Sequence, residues 1–202
     1  NSKTTFVQLG ASSHSNHDRE ANDYYATDPN SLVLFLNKIK KDGLILDKNI
    51  WECSCGEGHL SNVLKEEGFN VLSTDLIDRG YGDGIVDFLK YDGIYNGDIL
   101  TNPPYKYAKE FVEKAMSLIP IENRVIMFLK IQFLESKNRY ELFKKYPPKY
   151  VYVHSDRQTC YINGDMSEKK SSASCYCWFV WEKGFSGEPI IRWINSDDFI
   201  KF

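Results

Sequence analysis

The sequence predicts an α/β chain, doubly wound around a mostly parallel sheet with an antiparallel hairpin near its C-terminal end. Three observations predict it. Short apolar runs of strand length at 49–53, 71–75, 98–101 and 125–129 alternate with stretches of helical periodicity. The 125–129 run is apolar throughout, as a strand covered on both faces by helices must be. Beyond the strand-like run 150–154, two more runs at 173–181 and 189–194 follow with no helix between them, which places antiparallel pairing there.

Each element has a local cause. Residues 1–23 are rich in Ser, Asn, His and Asp and read as a polar arm, or a lid carrying His14, His17 and Arg19. Residues 24–202 read as one domain, with no room for a large separate target-recognition domain. Thr27 or Asp28 can cap a helix that Pro29 opens, and Leu32, Phe35, Leu36 and Ile39 then keep helical spacing to about Lys41. The strand 49–53 runs through a glycine turn into a helix that ends near Glu67, where Gly68 is a stop signal, and 71–75 is the next strand. A glycine-rich loop at 80–84 and a short strand at 85–89 precede the strand 98–101. Ala108, Phe111, Val112, Ala115, Met116 and Ile119 mark one helix face, closed by Pro120. After the strand 125–129 a helix is expected at 133–145, stopped by Pro147-Pro148, and 155–172 reads as a polar loop.

Composition excludes several classes. The chain of 202 residues is 42% hydrophobic and 14% aromatic, with no apolar run that could span a bilayer and no signal-peptide pattern. A cytoplasmic protein is therefore expected. The net charge of −3 argues against a dedicated polycation, yet residues 1–100 sum to −7 and residues 101–202 to +4. A basic second half suits a polyanionic substrate. Cys53, Cys55, Cys160, Cys175 and Cys177 form an odd set expected to stay reduced. Their Cys-x-Cys spacing is too short for an ordinary structural zinc site, so no metal is expected.

The chemistry centres on Asn102-Pro103-Pro104-Tyr105. Two prolines cannot continue a ladder, so the chain leaves the sheet there and strands Asn102 at the carboxyl edge, where ligands of such sheets bind. The Asn side-chain oxygen and the Pro103 carbonyl are two acceptors, and the group that satisfies both is an amine or amide with two hydrogens on one nitrogen. Tyr105 offers a face for a planar partner. Taken alone, the same four residues also read as an ordinary strand-ending turn. Upstream, Glu52-x-x-x-Gly56-x-Gly58 lets backbone approach a ligand at a helix start, and Asp75, at the end of the next strand, is placed for ribose hydroxyls. The G-x-G-x-x-G triplet is absent and Glu52 would repel a pyrophosphate, so an adenosine with a cationic tail fits better than a dinucleotide.

In order and spacing these motifs, with Asp87-Phe88 between them, resemble the S-adenosylmethionine-dependent methyltransferases of the amino-group class. The likeness is greatest to DNA adenine (N6) methyltransferases of phage and prophage type. Tyr25-Ala26-Thr27-Asp28-Pro29 resembles their amino-terminal cofactor motif, and the resemblance runs from about Gly10 to Trp193. It implies a seven-stranded Rossmann-like class I sheet, S-adenosylmethionine as cofactor and adenine-containing DNA as partner, single-stranded or weakly sequence-specific. Glu52, Gly56 and Gly58 would cradle the cofactor's methionine and ribose, and Asp75 would hold the ribose hydroxyls. Asp87 would take its adenine amino group with Phe88 against the ring, and Tyr25 and Thr27 would line the same pocket. Asn102, Pro103, Pro104 and Tyr105 would be the catalytic set. Lys106, Lys109, Lys137, Arg139, Arg157, Lys169 and Lys170 are the candidate nucleic-acid contacts. An RNA base, a protein glutamine amide, or a cofactor-binding adaptor without activity stays open as an alternative.

Overall fold

The computed structural model describes residues 25–156, 158, 160–162 and 174–199. The arm or lid expected at 1–23, with His14, His17 and Arg19, and the expected contacts Arg157, Lys169 and Lys170 lie outside the described residues.

The chain begins with β1 (Tyr25–Thr27) and α1 (Pro29–Lys41), then β2 (Asn49–Glu52), α2 (His59–Glu66), β3 (Asn70–Asp75) and β4 (Gly84–Ile85). β5 (Asp98–Thr101), α3 (Ala108–Leu118), β6 (Arg124–Lys130), α4 (Lys137–Lys145) and β7 (Tyr150–His154) follow, and β8 (Cys160–Ile162), β9 (Tyr176–Glu182) and β10 (Ile190–Ile194) complete the set. Asp28 is the residue that caps α1, its carboxylate accepting from the Asn30 N–H at 2.9 Å with Pro29 opening the first turn. Thr27 does not cap, because it is the last residue of β1.

Eight strands form the main sheet in the order β10-β7-β9-β6-β5-β2-β3-β4, one more than the expected seven, and its far edge is the two-residue β4. β2 pairs parallel with β3 on one side and with β5 on the other. The chain thus leaves β2 in one direction and returns beside it from the other, which makes the β2/β5 boundary a topological switch point. β9 is the antiparallel member, inserted between β6 and β7, and β10 runs parallel to β7 at the other edge. The doubly wound fold, mostly parallel with antiparallel pairing near its C-terminal end, is as the sequence predicts. The expected hairpin of the last two strands does not form, since β7 lies between β9 and β10 and pairs parallel with β10.

The strand pleat divides the core into two layers. Along β6, Val125, Met127 and Leu129 point to the layer that holds Phe111, Val112 and Ala115 of α3, while Ile126 and Phe128 point to the layer of Leu32, Phe35 and Leu64 from α1 and α2. Full burial of each such side chain contributes about 1.5–3 kcal/mol, so the sheet that presents the site is held from both faces.

Three elements differ from the sequence reading. The expected helix 133–145 is a 3₁₀ turn at Ile131–Leu134 followed by α4, because Ser136 adopts φ 125° and caps Lys137–Lys145 by accepting from the Asn138 N–H. The short strand expected at 85–89 ends at Ile85, and Phe88–Lys90 closes into a 3₁₀ turn. The polar loop 155–172 contains β8, which pairs antiparallel with β1 to form a separate two-stranded ribbon. Three-residue strands are too short for periodicity to reveal.

Candidate active site

At the switch point the carboxyl ends of β2, β3, β5 and β6 border a cleft of about 850 Å³. Thr27, Glu52, Asp75, Asp87, Phe88, Asn102, Pro103, Pro104, Tyr105 and Lys106 all line it. Residues far apart in sequence thus share one wall, as parallel strand ends at a switch point bring them together. The volume lies near the upper end of small-molecule sites, which run to roughly 1,000 Å³.

Glu52 ends β2 at 2% exposure, and its Oε2 is hydrogen-bonded to the Ser61 hydroxyl, which in turn meets the Ser73 hydroxyl at 2.7 Å. Burial pushes the Glu52 carboxyl up to about 8, against the opposing effect of its Ser61 hydrogen bond. Asp75 ends β3 and is fixed by main-chain donors, the Gly56 N–H at 2.8 Å on one oxygen and the Ile77 N–H at 3.0 Å on the other. Carboxylate oxygens accept more than one hydrogen bond, so a diol can still be bound there. Asp87 opens the 3₁₀ turn and pairs with Lys90 at 2.9 Å, a hydrogen-bonded contact that lowers its carboxyl below the usual range. Phe88 is 2% exposed, edge-on to Trp51 at 5.2 Å and 5.0 Å from the Phe111 ring. It is a core residue with one edge in the cleft.

Gly56 and Gly58 act one layer behind the wall. The Gly56 N–H fastens the turn to Asp75, and Gly58, at φ 84°, lies beneath the Tyr81 ring, which a Cβ there would meet at 2.3 Å. The bare backbone of Gly58 admits a packed tyrosine, and Glu52, Ser54, Cys55 and Asp75, rather than the two glycines, are among the residues that line the cleft.

Asn102 follows β5. Its Nδ2 donates to the Thr27 hydroxyl at 2.9 Å, so that Oδ1 is the end of the amide that does not face that hydroxyl. Pro104 begins the 3₁₀ turn Tyr105–Tyr107, tied by the Tyr107 N–H to the Pro104 carbonyl at 2.9 Å. The half-buried Tyr105 ring has the Lys130 ammonium 5.6 Å from its centre, and the same ammonium lies 6.0 Å from the Tyr176 ring. Tyr176 itself stacks on Phe128 at 5.0 Å and 10°.

Lys130 and Tyr176 were not found by sequence reasoning. A cation one residue past the apolar run of β6, at a parallel strand's carboxyl end, was the available signal for Lys130; Tyr176 carried none. Of the other expected contacts, Lys109 is half-buried on α3 and Lys137 is exposed at the start of α4, and neither lines the cleft. Arg139 is engaged within the fold: its guanidinium donates to the carbonyls of Phe133, Gln132 and Glu135 and covers the Phe133 ring at 4.9 Å. Tyr25 lies in β1, next to the lining residues Ala26 and Thr27.

The donor set fits S-adenosylmethionine. Three acidic side chains, Glu52, Asp75 and Asp87, line the cleft, which suits a cationic nucleoside and disfavours a diphosphate.

Neither a family model nor a curated protein sequence matches the chain. Solved structures do match. A Pyrococcus horikoshii protein provisionally named an RNA methyltransferase superposes with a TM-score of 0.61 at 14% identity, over 91% of this chain and 98% of that one. The chain has the class I methyltransferase fold. A Listeria monocytogenes protein provisionally named a class I S-adenosylmethionine-dependent methyltransferase superposes with a TM-score of 0.53 at 12% identity, covering 96% of this chain and 70% of that one. A Lactococcus lactis protein provisionally named a hemolysin gives 0.54 at 12% identity, over 79% and 90%. Such different names on one fold leave the reaction to be argued from the cleft itself.

Proposed function

We propose that this protein transfers a methyl group from S-adenosylmethionine to the exocyclic amino group of adenine in DNA. The observation that supports this most is the Asn102 amide, tied through Nδ2 to Thr27 at 2.9 Å in the same cleft as Glu52 and Asp75. When bound, S-adenosylmethionine supplies an electrophilic methyl group on a sulfonium. Asp75 holds ribose hydroxyls, Asp87 an adenine amino group, and Glu52 in its ionised form the cationic tail. Asn102 Oδ1 and the Pro103 carbonyl accept the two hydrogens of the target amine, which withdraws its lone pair from ring delocalisation and aims it along one line. No base is needed beforehand, because the proton leaves after the nitrogen has become cationic. Tyr105 stacks on the target base, which has to leave a duplex to reach it.

An adenine in RNA and a glutamine amide offer the same two hydrogens. The rim favours a nucleic acid, since Lys106 is exposed there and Lys130 lies between two tyrosine rings. The resemblance of the motifs favours DNA over RNA, while the name given to the Pyrococcus protein keeps RNA as the first rival.

The test is incubation with labelled S-adenosylmethionine and separate DNA, RNA and protein pools, followed by digestion to nucleosides and amino acids. Label in N6-methyldeoxyadenosine is expected. Label confined to RNA or to glutamine, or cofactor binding with no transfer to any pool, overturns the DNA assignment.

A further inference from the structure

We propose that Thr27 is a positioning residue for the transfer, its hydroxyl holding the Asn102 amide with Oδ1 toward the acceptor. This rests on the reading that Asn102 is the acceptor of the target amine's hydrogens. The contact is direct, Nδ2 to Oγ1 at 2.9 Å, and Thr27 is 3% exposed.

Thr27 is itself held from both sides. Its backbone is paired to Cys160 in the β1–β8 ribbon, and the next two residues are the cap and first residue of α1. A hydroxyl placed so firmly can anchor a softer group. An Asn amide has two nearly isosteric orientations, and in the wrong one an NH₂ group faces the amine's own N–H donors. A hydroxyl donates as well as accepts, so the target amine's two hydrogens select Oδ1; Nδ2 is then the end that meets Thr27, and the hydroxyl accepts from it and anchors it there. Valine at position 27 has the same shape and accepts nothing, so the reactive orientation would leave a part-buried NH₂ without that partner. Donation from Nδ2 also polarises the amide and strengthens Oδ1 as an acceptor. The proposal differs from the role that the motif resemblance implies for Thr27, which is contact with the cofactor.

The two roles separate in kinetics. Thr27→Val is expected to lower the single-turnover rate at saturating cofactor by roughly tenfold, the lower end of what loss of a hydrogen-bond partner costs, because the Asn102 amide is part-buried. Cofactor affinity, measured by calorimetry, should stay within about threefold, since the loss lies in orientation of the acceptor's partner. Thr27→Ser keeps the hydroxyl and should restore most of the rate. The Asn102 side-chain NH₂ resonances should shift in Thr27→Val and not in Thr27→Ser. If Thr27→Val unfolds the chain, Thr27→Ala shortens the side chain with the ribbon's backbone pairing intact and is put through the same measurements.

A Thr27→Val enzyme with the wild-type rate overturns the proposal. So does a deficit that resides wholly in cofactor affinity, which makes Thr27 a cofactor ligand and leaves the methyl-transfer reading standing. If the wild-type protein binds cofactor but methylates nothing, that reading fails. Asn102 NH₂ resonances that do not move in Thr27→Val then overturn the Thr27 contact as well.

Discussion

Burial holds the Glu52 carboxyl protonated up to about pH 8, while a cationic cofactor favours its anion. The hydrogen bonds from Ser61 lower that value but do not cancel the desolvation, which is the larger effect. On the proposed role of Glu52, binding at neutral pH expels a proton. Calorimetry in buffers of different ionisation enthalpy should show close to one proton released per S-adenosylmethionine at pH 7, with affinity rising by up to about tenfold per pH unit below the Glu52 value. Glu52→Gln should abolish the release. An affinity that is flat from pH 6.5 to 8.5, with no proton released, contradicts the role given to Glu52. At this scale the sequence showed which residue types were needed but not how they are held. Asp75 was placed by its position after the glycine turn, whereas its two main-chain donors follow from the backbone path of that turn.

At the scale of elements, the glycine turn between β2 and α2 is clamped by the loop that follows β3. Tyr81 lies over Gly58, and its hydroxyl donates to Asn62 on α2 at 2.7 Å. Gly58→Ala adds a Cβ in a left-handed conformation, at about 1 kcal/mol, and drives it into the ring. Urea denaturation should show a loss of roughly 2–3 kcal/mol, falling to about 1 kcal/mol in a Tyr81→Ala background, where the clash is absent. Equal losses in both backgrounds would show that the ring is not the obstacle. The strand, turn, helix, strand unit was legible from apolar runs and two glycines. Tyr81 was not, because a contact between two loops leaves no periodicity. The same holds for β1 and β8, whose pairing joins three-residue segments far apart in sequence, and for Arg139, where a lone cation in a helix looks identical whether it faces solvent or caps its own chain.

For the whole molecule, two buried titratable groups tilt stability in opposite directions with pH. His154 hydrogen-bonds to the Ser31 hydroxyl at 3.2 Å in the layer beneath α1, and burial lowers its value to about 4. Its folded value is depressed below the ordinary 6.5, so the unfolded chain takes up the proton first and stability falls as pH drops from 6.5 towards 4, by roughly 3 kcal/mol in full. Glu52 has the opposite sign. Its folded value is raised, so its protonated form favours the fold and stability falls as pH rises from 4.5 to about 8. The two slopes oppose each other between about 4.5 and 6.5, and the cofactor-free protein should be most stable in that window and weaken towards pH 8. Chemical denaturation from pH 4 to 9 checks it: Glu52→Gln should flatten the alkaline fall and expose a fall below pH 6.5, His154→Gln should let stability keep rising as pH drops from 6.5 to 4.5, and a wild-type stability that keeps rising to pH 8 contradicts the assignment.

The overall architecture was legible because alternation of strands and helices admits few topologies. The insertion of β9 between β6 and β7 was less so, since partner choice among buried apolar strands depends on packing that no single strand encodes. That topology places the carboxyl ends of β2 and β5 side by side, and it is there that Asn102 meets the cofactor's proposed wall. The decisive measurement is methyl transfer by Asn102→Ala alongside its binding of S-adenosylmethionine. Turnover on adenine should fall by about 10²–10³-fold or more, as for loss of a preorganised polar group at a reacting centre, with cofactor affinity unchanged. Full activity in Asn102→Ala would contradict amine activation by this cleft.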